Sequence, residues 1–380
     1  MNSNLANQLL ASIMGWEAKQ LATERAALEF IGSMKYDGYD RYMPGMRFMS
    51  SLVQWLDQFQ NKQDRDIAFA FIKKRLVFIS STQMNYLVDL LYDSKIRPDL
   101  LKKATVALNE PSYKLSSAKV KKQFEVEKRS SLVIGLSDGA HTDILRRSAG
   151  FSNEQVLTNY YPDSKKLTEM LKELAKDEKM RGIANPYFSS IYLIDDFTAS
   201  GKSFIRYDEE DHDYHGKLKK IINELCAENK EAQDDKPEER HLSYLLKAGE
   251  PIHLDILFCV ATKKAKKKIE EGLNQYLKAK GYTKRVKFKI HVVQELEDKL
   301  STDIKGDDEL IAVLQRDAYL DKDAVMSKSF EVGKHDNVYL GFDECALPVV
   351  LAHNTPNNSL PILWQDSKLF RGLFPRISRH

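Results

Sequence analysis

Residues 191–203 read Ile191-Tyr-Leu-Ile-Asp-Asp-Phe-Thr-Ala-Ser-Gly-Lys-Ser203. Four apolar residues predict a buried strand. Asp195 and Asp196 stand at its carboxyl end. A short loop of Thr198, Ala199, Ser200, Gly201, Lys202 and Ser203 comes next, and a helix is expected after it. Small hydroxyl residues and a glycine let backbone N–H groups converge on a phosphate at a helix N-terminus. The glycine permits a positive φ and a close ligand approach. Acids beside a phosphate cradle are not there to hold the phosphate itself. They suit the hydroxyls of an attached sugar, or a bound Mg²⁺. Gly201-Lys202-Ser203 also looks like the end of a Walker A loop, which needs a glycine five residues before Gly201. Position 196 is Asp, so the nucleoside-triphosphatase reading is dismissed. The bland alternative is an ordinary strand–turn–helix with a fortuitous acid pair. Several independently specified positions argue against it.

Outward from this stretch, short β-rich runs alternate with helical segments from about residue 126. The runs are Leu132–Leu136, Ile191–Ile194, Leu254–Val260, Val286–Val293, Val338–Phe342 and Leu347–Leu351. Between them lie the expected helices Asp143–Ser148, Lys165–Lys176, Lys217–Ala227, Lys263–Ala279 and Asp307–Ala318. Continuous apolar strands alternating with helices predict an α/β domain with a parallel sheet covered on both faces. Ligands in such sheets sit beyond the carboxyl ends of the strands. Residues 1–125 read as helices instead. Leu5, Leu9, Leu10, Ile13 and Trp16 recur at helical spacing, as do Met49, Leu52, Trp55, Leu56 and Phe59, then Met84, Leu87, Leu90 and Leu91. Ser80, Ser81 and Thr82 are N-cap candidates for the last of these. This helical domain reads as a structural or partner-docking module. A winged-helix-like nucleic-acid binder is the alternative, although no helix here has a concentrated basic face.

The acid pair and loop resemble the phosphoribosyl-diphosphate-binding signature of type I phosphoribosyltransferases. That resemblance implies a parallel-sheet phosphoribosyltransferase-like core over residues 126–380, with a charged insertion at about 206–250. It implies that Asp195 and Asp196 contact the ribose 2′- and 3′-hydroxyls. Thr198, Ala199, Ser200, Gly201, Lys202 and Ser203 would cradle the 5′-phosphate. Lys202 departs from the family, which mostly carries a small residue there. An earlier strand, Leu132–Leu136, leads into Ser137, Asp138 and Gly139, where the family binds the donor pyrophosphate. Asp138 would repel that group unless Mg²⁺ intervenes. Mg²⁺ is accordingly implied as the cofactor, held mainly through the donor phosphates rather than by protein ligands. The plain reading of Ser137–Gly139 is a turn.

The C-terminal stretch runs from Gly341 through His353, Asn354, Thr355, Pro356, Asn357 and Asn358 to Leu360-Pro-Ile-Leu-Trp364, with Leu373-Phe-Pro-Arg376 beyond. It looks like phosphoribosyltransferase-like proteins of bacterial conflict and defence systems, some of which accompany retron reverse transcriptases. His353 and Asn354 would contact the donor or the acceptor at the carboxyl edge of the sheet. Alternatively, Asn and Pro organise a rigid loop, with His353 satisfied locally.

Composition bounds these readings. The chain has 380 residues, with 58 Lys+Arg against 55 Asp+Glu and a formal charge of +3. That length allows two domains of roughly 100–200 residues. No apolar run approaches the roughly 20 residues that span a bilayer, and the N-terminus lacks the basic region of a secretory signal. Cys226, Cys259 and Cys345 are sparse and odd in number, which fits a reducing cytoplasm and packing roles. The small net charge excludes a wholly polyanion-binding surface but hides local extremes. Lys263–Lys289 holds eleven Lys/Arg and two Glu. It reads as a solvated helix face, or else as a polyphosphate or nucleic-acid patch. Asp208–His215 packs five acids and two histidines and reads as an exposed acidic loop without recognisable metal spacing. The charged segment continues to Arg240 and is broken by Pro237.

Two functions are expected. The first is a phosphoribosyltransferase-like enzyme, a glycosyltransferase in type, that displaces or hydrolyses at the ribose anomeric carbon of phosphoribosyl diphosphate or a related nucleotide. Resemblance places it as an effector in antiviral defence. The second is a non-catalytic nucleotide sensor or scaffold of a retron-type complex, whose helical domain docks a protein or ribonucleoprotein partner such as a reverse transcriptase.

Overall fold

The computed structural model describes residues 3–42, 45–111, 113–114, 116–158, 161–230, 239–326 and 337–376. The chain forms two compact units, one of Met1–Met84 with Glu297–His380 and one of Asn85–Leu296. Among the described residues the strands are β1 (Val77–Ile79), β2 (Ser131–Gly135), β3 (Val156–Leu157), β4 (Ser190–Thr198), β5 (Arg206–Asp208), β6 (Asp213–His215), β7 (Ile252–Thr262), β8 (Val286–Leu296) and β9 (Val349–Leu351). No described helix is long and apolar enough to cross a membrane.

The Asn85–Leu296 unit is built on a five-stranded parallel sheet in the order β3-β2-β4-β7-β8. One face carries Leu132 and Ile134, Ile191 and Leu193, and Leu254, Ile256 and Phe258, all buried. Onto it pack three helices with apolar positions at helical spacing. They contribute Leu167, Met170 and Leu174 from Ser164–Lys176, Leu218, Ile221 and Leu225 from Lys217–Cys226, and Ile269 and Leu273 from Lys263–Ala279. β4 is buried at every position but Phe197, as a central strand of a covered parallel sheet must be. Sequence order runs one way from β2 to β3 and the other way from β2 to β4. The loops after β2 and β4 therefore diverge at a topological switch point, where such sheets bind ligands.

The other unit gathers the helices Ser3–Met14, Ala18–Met34, Phe48–Asp57 and Lys62–Arg75 with the C-terminal segments. β1 pairs in parallel with β9, Val77 opposite Val349 and Ile79 opposite Leu351. Phe374 is the centre of an aromatic cluster, with the rings of Tyr36, Tyr39, Tyr42, Phe48 and Phe78 at 5.4–6.1 Å. The buried Tyr39 hydroxyl donates to the Pro375 carbonyl at 2.7 Å, and Trp55 Nε1 donates to the Ile362 carbonyl at 3.0 Å.

This division differs from the linear one expected at residue 125. Helices Arg97–Ala107 and Ala118–Arg129 belong with the sheet, and residues from Glu297 onward belong with the N-terminal helices. Leu347–Leu351 does not extend the parallel sheet, because its strand is the partner of β1. Val338–Phe342 forms two short 3₁₀ turns, Val338–Leu340 and Phe342–Glu344, rather than a strand. Positive φ at Gly341 and Asp343 breaks its extended backbone. The stretch 206–250 is no single insertion: it holds a hairpin and the core helix Lys217–Cys226. Residues 231–238, with Pro237, lie outside the described residues. Ser80 does cap the helix Ser81–Leu91, its Oγ accepting from the Gln83 N–H at 3.2 Å.

Candidate functional site

β4 delivers Asp195 and Asp196 to the carboxyl edge of the sheet, 1% and 8% exposed. The loop after β2 approaches them there. Leu136 N–H donates to the Ile194 carbonyl at 2.8 Å, and the Ser137 hydroxyl donates to Asp195 Oδ1. The same oxygen accepts the Asp196 N–H at 3.1 Å. Asp195 Oδ2 accepts from Lys217 Nζ at 2.8 Å. Burial, reinforced by the Asp196 charge and opposed by Lys217, pushes the Asp195 carboxyl up to about 7. Cys259 of β7 is buried nearby, and burial with the two acid charges holds its thiol well above the usual range.

Beyond β4 the backbone turns tightly through Ala199–Phe204. Gly201 sits at φ +76°, and its carbonyl accepts from the Phe204 and Ile205 N–H groups at 3.0 and 3.3 Å. A Cβ at Gly201 would come within 3.0 Å of the Ala265 carbonyl and of Ile269. Conformation and packing thus both require glycine here. Ser200 Oγ accepts from the Lys202 N–H at 3.3 Å. Among the described residues no acceptor meets the N–H groups of Ser200, Gly201 and Ser203. Such a turn presents backbone dipoles suited to an anion. Thr262 ties it down. Its hydroxyl donates to the Ala199 carbonyl at 2.6 Å and accepts from the Ala265 N–H at 3.0 Å, capping the helix Lys263–Ala279.

No helix comes directly after the turn, contrary to expectation. A hairpin, β5 with β6, intervenes, and the next helix starts at Lys217. Its first N–H groups are taken by the turn itself, Lys217 donating to Ser203 at 3.1 Å and Leu218 to Phe204 at 2.9 Å. The anion would therefore face the turn amides rather than a helix N-terminus. The hairpin comes from the acidic stretch: Asp208, Asp211 and His215 lie with ligand atoms within 4.8 Å of one another. Lys219 pairs with Asp213 at 2.5 Å. Lys263, Lys264 and Lys267 are exposed on the basic helix beyond Thr262.

Ser137, Asp138 and Gly139 lead into a single 3₁₀ turn, Asp138–Ala140, with Asp138 exposed. Ser137 and Asp195 are brought into contact. His353 and Asn354 come after β9 in the unit of Met1–Met84 with Glu297–His380, where Asn354 and Leu351 exchange backbone hydrogen bonds at 3.0 and 3.3 Å. The short apolar run before them carried no information about which strand it would pair with. Lys217 is the residue that motif reading missed. It lies 22 positions beyond Asp195, and Gly216 is its one local signal. Gly216 adopts φ +123°, and a Cβ there would fall 2.3 Å from the Phe204 carbonyl.

A parallel α/β sheet carrying paired acids and an open-amide turn at its switch point has the make-up of a phosphoribosyltransferase-like protein. The family model described as PRTase-CE matches residues 52–376, and the chain belongs to that family. No curated protein and no solved structure matches the chain.

Proposed function

We propose that the chain binds phosphoribosyl diphosphate or a related nucleotide at the carboxyl edge of β4 and acts on its anomeric carbon. The observation that carries this reading is the open turn Ser200–Ser203 next to Asp195 and Asp196. The turn N–H groups hold the 5′-phosphate, the acids accept from ribose hydroxyls, and the loop at Ser137–Gly139 faces the diphosphate. In the reaction the bond from the anomeric carbon to the diphosphate oxygen breaks, and its electron pair leaves with the diphosphate. An acceptor nitrogen or water forms the new bond and gives up its proton. The transition state has oxocarbenium character, as in other glycosyl transfers.

Mg²⁺ is part of this proposal. Lys217 already sets a cation against Asp195, so the chain does not offer it as a ligand for a second one. The ion fits as the companion of the diphosphate, since Mg²⁺ keeps waters and binds through substrate phosphates. When bound there it would neutralise the leaving group.

Calorimetry with phosphoribosyl diphosphate and Mg²⁺, and then an assay of pyrophosphate release, tests the reading. Saturable binding and release are expected, and Asp195→Asn with Asp196→Asn should abolish release without unfolding the protein. Unaltered turnover in that double variant would sink the assignment. The internal donors on Asp195 favour a second reading, a nucleotide sensor in a bacterial defence complex with a protein or ribonucleoprotein partner. Binding without turnover would select it.

A further inference from the structure

Two carboxylates beside a turn built for an anion pose an electrostatic conflict. At separations of a few ångströms, like charges oppose each other and repel the phosphate. Lys217 stands where that conflict can be relieved. Its Nζ lies 2.8 Å from Asp195 Oδ2 and 4.7 Å from the centre of the Phe204 ring. Its backbone N–H is bonded to the Ser203 carbonyl at 3.1 Å, and Gly216 before it packs directly against Phe204. One residue is therefore fastened by its backbone to the turn and by its side chain to the acid. The hairpin β5–β6 makes this possible by returning the chain to the turn it has just left.

We propose that Lys217 is the positioning residue of the phosphoribosyl site, holding Asp195 in place and cancelling one of the two carboxylate charges so that the adjacent turn accepts phosphate. This rests on the phosphoribosyl reading above. The charged and titratable groups around Asp195 are Asp196 on its own strand, Cys259 on β7 and Lys217 at the start of the helix Lys217–Cys226. Among the described residues, Lys217 is the cation bonded to Asp195. Ser137 adds an uncharged donor from the loop after β2.

The test tracks the Asp195 carboxyl by carbon-13 NMR across pH in the full chain, with Asp195→Asn identifying the resonance. Lys217→Met and Lys217→Gln should move its midpoint up by about one pH unit or more, the usual effect of losing a neighbouring opposite charge. Lys217→Arg should restore it to within about half a unit. At about pH 9, above the shifted midpoint, the two neutral variants should bind phosphoribosyl diphosphate with Mg²⁺ about tenfold more weakly, or worse, and Lys217→Arg should recover most of that loss. An unmoved midpoint in the neutral variants overturns the proposal, even if their melting temperatures fall. Should neither variant fold, the wild-type Lys217 Nζ resonance decides. A shift sharing the Asp195 midpoint supports the pair, and an independent one overturns it. If wild-type protein does not bind phosphoribosyl diphosphate, the functional reading fails, while the carboxyl titration still decides the role of Lys217.

Discussion

Asp195 illustrates how a site can be built against stability. Its carboxyl is raised to about 7, chiefly by burial, from an ordinary value of 3.8. A group raised on folding contributes stability that is fully present below the unfolded value and lost as pH rises through the folded one. Asp195→Asn should therefore match wild type near pH 4 and become the more stable protein between pH 5 and 8. The ceiling is about 4 kcal/mol for a shift of about three units, at 1.36 kcal/mol each, and loss of the Lys217 partner lowers it. Thermal melts across pH check this, and a difference that does not grow with pH would refute it. Gly201 makes the opposite case. Its positive φ and the 3.0 Å approach to Ala265 leave no room for a side chain. Gly201→Ala should cost about 1–3 kcal/mol and remove phosphate binding, measured by chemical denaturation and calorimetry. Retained binding with unchanged stability would show that the turn adapts.

Among the elements, β4 was legible from four apolar residues and two acids, because a buried central strand needs little context. The tight turn after β4 was legible too, since its small residues and glycine have a local cause. The hairpin after the turn was not. Arg206–Asp208 and Asp213–His215 are three-residue strands joined by a single aromatic pair, Tyr207 against Tyr214 at 5.1 Å, too short a pattern to show a period of two. Reading them as a loop hid the return of Lys217 to Asp195. Nor does a run as short as Leu347–Leu351 reveal its partner strand. The helix Lys263–Ala279 shows how elements share one residue, because the Thr262 hydroxyl both caps it and holds the Ala199 carbonyl. Thr262→Val should cost about 1–2 kcal/mol and weaken phosphate binding together with stability. A loss confined to helix content would separate the cap from the turn.

The molecule as a whole divides along contacts rather than along sequence. The Phe374 cluster and the β1–β9 pair place the residues from Glu297 onward with Met1–Met84. Fragments test this directly. Residues 85–296 should unfold cooperatively as an isolated piece, whereas residues 1–125, cut where the change of texture suggests, should show no cooperative melt. A sharp transition in the shorter piece would contradict the assignment of its core to Phe374 and its neighbours.

The pairing of Val77 with Val349 also sets a timetable. On the ribosome, domains made from contiguous chain fold as they emerge. Here the sheet unit is complete in the nascent chain by Leu296, while the helices synthesised before it still lack their aromatic centre. They wait, apolar faces uncovered, until Phe374 leaves the exit tunnel. The helices before residue 85 are thus among the last to fold, and a chain interrupted between Leu296 and Phe374 would carry a finished sheet unit beside an unfinished, aggregation-prone companion.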